Sequence, residues 1–265
     1  MYELARKALR LAEIAGAEEA EIYYAASHST GVNFKKDSIE NAKDRFSEGI
    51  GIRAIVNGAV GFASTNSAAQ IENAVEVAVA EARVRESDPD WVSLPSNGNY
   101  PTVSGIFDKK VEALELETCI EYSLELIEGT KEIPGTLPTS GGFTRAKSKQ
   151  LILNTNDIEV EEESTAVSGF VDVITVNGQT STAYDFAVSR SLDIDFFALG
   201  KNAAELALKS NDGIKIEPQK TDVIFHPFAL SDIIGEALAP SLDADNIQKG
   251  RSGLIGKIGE ELAVP

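Results

Sequence analysis

The stretch EGIGIRAIVNGAVGFASTN, residues 48–66, restricts the fold more than any other part of the chain. Two apolar runs flank Asn57-Gly58, and both of these residues suit the positive φ of a type I′ turn. The segment therefore predicts an antiparallel hairpin, which needs a larger sheet or a helix against it to be stable. Gly49, Gly51 and Gly61 leave part of its surface without side chains, which predicts a close neighbour there. The same glycines do not make a phosphate loop, because neither GxGxxG nor GxxxxGK(S/T) spacing occurs.

Around this hairpin the chain reads as alternating blocks of helix and strand. Leu4, Ala8, Leu11, Ala12 and Ala15 recur at helical spacing over residues 3–15, with Gly16 as the stop. Residues 19–26 and 31–35 read as two strands, the second partnered. Ser67 and Gln70 match a capping box opening a helix whose core face is Ile71, Ala74, Val75, Ala78 and Ala82. Residues 88–106, with Pro89, Pro95, Asn97-Gly98 and Pro101, form a surface connection that Trp91 packs down. A helix over 111–128 turns Leu116, Ile120, Leu124 and Ile127 inward and Glu117, Glu121, Glu125 and Glu128 to solvent. Cys119 beside it reads as a small buried hydrophobe, not a catalytic thiol.

From Pro138 the character changes to strands, with a second Asn-Gly turn at 177–178, a helix capped by Asp195 and a strand at 221–225. The pattern is α+β, with helices packed on mainly antiparallel sheets. The division expected from it is an N-terminal α+β domain over 1–135, then a central β-rich and helical region over 136–265 that starts a second domain.

Composition narrows the function. The chain has 265 residues and a net charge of −18, which repels phosphate backbones and argues against direct nucleic-acid binding. The acidity reads as solubility, or as an acid-lined docking face for a basic partner or peptide. No apolar run approaches the roughly 18 residues of a membrane span. One cysteine allows no intrachain disulfide framework, and the expected location is the cytoplasm.

The segment HPFALSDIIGE, 226–236, holds one of the two histidines. Pro227 suits a first helical turn with His226 at its N-cap, and Leu230, Ile233, Ile234 and Leu238 then face a core. Asp232 and Glu236, four apart, share a face, but a hard cation usually takes six or more oxygen ligands. Taken alone, the segment is a capped amphipathic helix.

Three segments together resemble the TldD/PmbA family, which is named for modulation of DNA gyrase and contains metallopeptidases. They are the hairpin 48–66, then LILNTNDIEVEEESTAVSGFVDVI, and then TDVIFHPFALSDIIGEAL followed by NIQKGRSGLIGKIGE. The family's TldD kind carries HExxxH on the helix after the strand, where two imidazoles bind zinc and the glutamate serves as base. Histidines five residues apart are about 140° apart on a regular helix, so that helix must be distorted or end at the site. The matching hexapeptide here, placed by Gly235, is Ser231-Asp232-Ile233-Ile234-Gly235-Glu236. Ser231 replaces the first histidine, Asp232 the glutamate and Glu236 the second histidine, so the resemblance implies no catalytic residue and no metal in this chain.

The resemblance therefore implies a PmbA-like (TldE) non-catalytic subunit. Its partner would be a TldD-like HExxxH subunit that holds the zinc, and the complex would process small or unfolded peptides. The chain stops at Pro265, short of the family's C-terminal β-rich domain, so exposed apolar surface is expected where that domain packs, with homo-oligomers a possible consequence. Two other readings stand beside this one. In the first, the protein is an enzyme with a harder metal held by Asp232 and Glu236. In the second, it is an acidic interaction protein that modulates a DNA enzyme.

Overall fold

The structure, a computed structural model, describes residues 2–96, 98, 100–178 and 180–262. The expected turn residue Asn97 and the terminal Ala263-Val264-Pro265 lie outside the described residues. The chain divides into two compact units, Met1–Gly213 and Ile214–Pro265.

The first unit is built on one six-stranded antiparallel sheet in the order β3-β2-β1-β4-β5-β6. In chain order its elements are α1 (Tyr2–Ile14), β1 (Glu19–Lys35), β2 (Ser38–Val56), β3 (Ala59–Thr65), α2 (Ile71–Val84), α3 (Lys109–Glu112), α4 (Leu116–Lys131), β4 (Thr136–Asn154), β5 (Glu159–Thr175), β6 (Thr182–Ser189) and α5 (Phe196–Lys209). Asn57 and Gly58 turn the β2–β3 hairpin with φ of 52° and 72°, as the type I′ reading requires. The two strands expected at 19–26 and 31–35 are one strand, β1, which pairs with β2 and with β4 and not with itself. The division expected between 135 and 136 falls inside this unit, since β4 pairs with β1 from Ser140 to Asn154.

The helices of this unit that pack on the sheet lie on one face. Alternate residues of β1 bury beneath them, in two groups: Ala20, Ile22 and Tyr24 under α1 and α2, then Val32 and Phe34 under α4 and α5. Gly61 of β3 explains how α2 comes so close. A Cβ at Gly61 would collide with the Ala78 carbonyl and the Ala82 amide of α2. Gly129 and Gly200 do the same for the α4–α5 crossing, where a Cβ on either would strike the other helix's backbone.

That crossing also rotates α4 away from the expected face. Its buried residues are Cys119, Ser123, Leu126, Ile127, Gly129 and Thr130, while Leu116 and Leu124 are exposed. Small side chains win because the helices approach closely, and the buried hydroxyls donate to carbonyls, Ser123 to Val32 and Thr130 to Leu126. The capping box is not formed: Ser67 opens a short 3₁₀ turn, and neither Ser67 nor Gln70 makes a side-chain cap bond. Asp195 does cap α5, accepting from Ala198 N–H at 2.8 Å. Trp91 pins its connection to the sheet, its indole N–H donating to Glu19 at 3.2 Å.

The second unit contains α6 (Pro227–Ile233), a π-helical turn (Ile234–Leu238), α7 (Ala239–Leu242) and α8 (Ala244–Gln248). The strand expected at 221–225 is absent; Val223, Ile224 and Phe225 are exposed and join no sheet. Leu230, Ile233, Ile234 and Leu238, expected to face a core, are each nearly half exposed. Apolar exposure of this kind is what an amphipathic helix shows when nothing in its own unit covers it. Among the described residues no helix is long and apolar enough to cross a membrane.

Between the two buried groups the helix-bearing face carries ions. Lys149 pairs with Glu161 at 2.8 Å and Glu163 at 3.0 Å, and Lys147 pairs with Glu112 and Glu163. Two predictions follow from this packing and this seam. Gly61→Ala should destabilise the chain by about 1–3 kcal/mol, the usual cost of overpacking, as read by denaturant melts. The hydrogen bond from Lys149 holds the Glu161 and Glu163 carboxyls below their ordinary values. Depressed carboxylates contribute stability above their unfolded pKa, and lose it as pH falls through the folded one. Lys149→Met should therefore cost about 1 kcal/mol or less at neutral pH and shrink the loss of stability on acidification below about pH 4.

Candidate functional site

The candidate segment begins as the sequence suggests. His226 caps α6 with φ −62° and ψ 145°, its Nδ1 accepting from Phe228 N–H at 3.4 Å, and Pro227 occupies the first turn. Its ring meets Phe228 edge-on at 5.0 Å, so this imidazole is occupied with capping and packing. Downstream the helix is distorted: residues 234–238 form a π-helical turn, held by i→i+5 rather than i→i+4 backbone hydrogen bonds.

Ser231 and Asp232 lie in α6 just before this turn and Glu236 lies inside it, and all three are exposed. The side chains offered here are a hydroxyl and two carboxylates. Tetrahedral zinc sites are built chiefly on histidine or cysteine, with a carboxylate as at most one of the ligands in the common catalytic sets, and no imidazole stands at 231 or 236. The donor set does not fit zinc. Among the described residues no group of three His, Cys, Asp or Glu side chains is arranged to hold a metal.

A second polar cluster went unnoticed in the sequence. His28 lies on β1, where the helix-bearing face is polar, and its Nε2 stands 2.9 Å from Asp44 Oδ1 on β2. Thr30 Oγ1 donates to the same carboxylate at 2.7 Å, and an Arg145 guanidinium nitrogen lies 3.4 Å from His28 Nδ1. Guanidinium only donates, so Nδ1 accepts and Nε2 carries the proton given to Asp44. Those bonds, His28 first and Thr30 second, hold the Asp44 carboxyl below its ordinary value. Arg145 is only 7% exposed, and its Nε has no hydrogen-bond partner among the described residues.

An imidazole oriented by a carboxylate is half of a nucleophilic site, but among the described residues His28 is hydrogen-bonded only to Asp44 and Arg145, with no hydroxyl or thiol on its ring. Cys119 is fully buried, and burial pushes its thiol up, away from the reactive thiolate. What the cluster does do is tie β1 to β2 and β4 between the two helix pairs. The signal available in sequence was the rarity of histidine, two in 265 residues.

Three family models cover most of the chain. PmbA/TldA metallopeptidase domain 1 matches residues 20–82, the central domain matches 109–211 and the C-terminal domain matches 218–265. An uncharacterized protein of Methanocaldococcus jannaschii is 28% identical over 244 residues, covering 92% of this chain and 56% of its own length. A Methanothermobacter thermautotrophicus protein named Metalloprotease is 23% identical over 255 residues, covering 93% and 55%. The chain thus spans little more than half the length of these relatives.

Two solved structures share the fold at 20% identity, each covering 97% of this chain and 59% of its own. One is a candidate modulator of a DNA gyrase from Thermotoga maritima, with a TM-score of 0.86. The other is TldE from Thermococcus kodakarensis, with a TM-score of 0.83. On the strength of the three matched domains, the chain belongs to the PmbA/TldD metallopeptidase family.

Proposed function

We propose that this chain is a PmbA/TldE-like, non-catalytic subunit of a TldD-type zinc metallopeptidase complex that processes small or unfolded peptides. One observation carries the reading: the distorted helix of the candidate site presents Ser231 and Glu236 where metal-binding imidazoles would have to stand, and Asp232 where the motif's glutamate would. The fold shared with a protein called TldE and the relative named Metalloprotease support it. In this reading the zinc belongs to a TldD-like HExxxH subunit, the two subunits work together in the cytoplasm, and this chain shapes the space in which a peptide is held. The exposed apolar side chains of the second unit, Ile233, Ile234 and Leu238 among them, supply surface for such an association.

The harder-metal reading gains no support from the geometry. Two exposed carboxylates on a single short helix leave most of the required oxygen ligands to water, a weak site.

Mixing should decide the proposal. The metal-replete chain alone should leave an unfolded peptide intact, and adding a zinc-loaded TldD-like subunit should yield cleavage that neither component matches separately. Cleavage by this chain alone would overturn the reading. Since Asp232 and Glu236 are exposed, Asp232→Ala and Glu236→Ala should each change stability by no more than about 0.5 kcal/mol in a denaturant melt. They should also leave the activity of the mixture unchanged.

A further inference from the structure

The sheet has one edge that its own strands leave open. β6 pairs with β5 only over residues 167–174, so residues 159–165 of β5 have β4 on one side and, among the described residues, no strand on the other. Thr165 marks the outward direction: its N–H donates to the Ile106 carbonyl at 2.9 Å, and its carbonyl accepts from Arg190. Backbone groups alternate sides along a strand, so those of Glu159, Glu161 and Glu163 point the same way. None of these has a backbone partner on that side among the described residues. Glu159, Glu161 and Glu162 are exposed.

Beside this edge lies a cavity of about 260 Å³ bounded by Tyr100, Pro101 and residues 150–152 and 160–162, of which Gln150, Ile152, Val160 and Glu162 project to the face without helices. Val160 and Glu162 project to that face, since Glu161 and Glu163 project to the other, where they meet Lys149. A strand added along 159–163 would send alternate side chains into this cavity. The local charge says which ones. Lys147 and Lys149 serve Glu112 as well as Glu161 and Glu163, Arg6 is shared between Glu3 and Glu159, and Glu162 has no cation within ion-pair distance among the described residues. Tyr100, Pro101 and Ile152 suit the aliphatic stem of a lysine or arginine whose head reaches Glu162.

We infer that the 159–163 edge of β5 is a strand-addition site for an extended basic peptide, with a Lys or Arg side chain seated between Tyr100 and Glu162. Main-chain hydrogen bonds supply affinity in this mode and the alternate-side-chain pocket supplies selectivity. A second copy of this chain is a poor occupant, because edge-to-edge pairing would set four glutamates against the same four. The choice of a peptide as ligand rests on the peptide-handling function proposed above.

Direct binding to the full chain tests the edge without any partner subunit or cleavage, so failure of the subunit proposal leaves it standing and the reverse holds too. The probes are a short fluorescent peptide alternating Lys with Val and two derivatives, N-methylated at the Lys amides in one and at the Val amides in the other. One methylated derivative should weaken by about fivefold per blocked hydrogen bond and the other should bind like the parent, whichever direction the strand adopts. Glu162→Gln, an exposed substitution that should fold normally, should weaken the parent peptide, and a Glu-for-Lys peptide should not bind. Equal binding by both methylated derivatives would show attraction by charge alone and overturn the inference. So would an unchanged affinity in Glu162→Gln, no binding of the parent peptide, or self-association of the chain that Glu161→Lys abolishes.

Discussion

Strand β1 is hydrogen-bonded on both sides along almost its whole length, to β2 from Glu19 to Lys35 and to β4 from Glu21 to Lys35. This double pairing makes one body of the residues up to Gly213, and it fixes which side chains face the helices. A slip of one residue would send Ile22, Tyr24, Val32 and Phe34 to the bare face and the serines to the core. The two helix pairs stand at opposite ends of the same strand, and the gap between them is where His28, Asp44, Arg145 and the lysine–glutamate seam find room. Close helix contacts at Gly61 and at the Gly129–Gly200 crossing follow from the same plan, since thin layers on a sheet bury area only where backbones approach.

Much of this was legible in the sequence where one physical rule dominates. Asn57-Gly58 turns because only a few residues accept positive φ, Asp195 caps because its carboxylate reaches a free N–H, and Cys119 buries because a thiol packs as a small apolar side chain. The continuity of β1 was not legible. Its covered face at Ala26, His28 and Thr30 lies in the polar gap, so the alternation of apolar residues lapses in mid-strand although the ladder continues. The face of α4 was misread for a related reason, because counting apolar residues favours Leu116 and Leu124, whereas close packing selects Ser123, Gly129 and Thr130.

At the candidate site the residue identities at 231, 232 and 236 and the His226 cap were legible, and the backbone geometry was not. The structure adds a π-helical turn over 234–238, with Glu236 inside it and Ser231 and Asp232 before it. Exposure of Leu230, Ile233 and Leu238 could not be read from periodicity, which reports an amphipathic helix but not what covers it.

The central claim is that this chain carries the family's site architecture without its metal. Elemental analysis of the purified, tag-free chain after exposure to zinc and manganese tests that claim most directly. The account predicts no stoichiometric metal. One metal per chain, lost in Asp232→Ala or Glu236→Ala, would contradict it and make this protein a metal enzyme with a rebuilt carboxylate site.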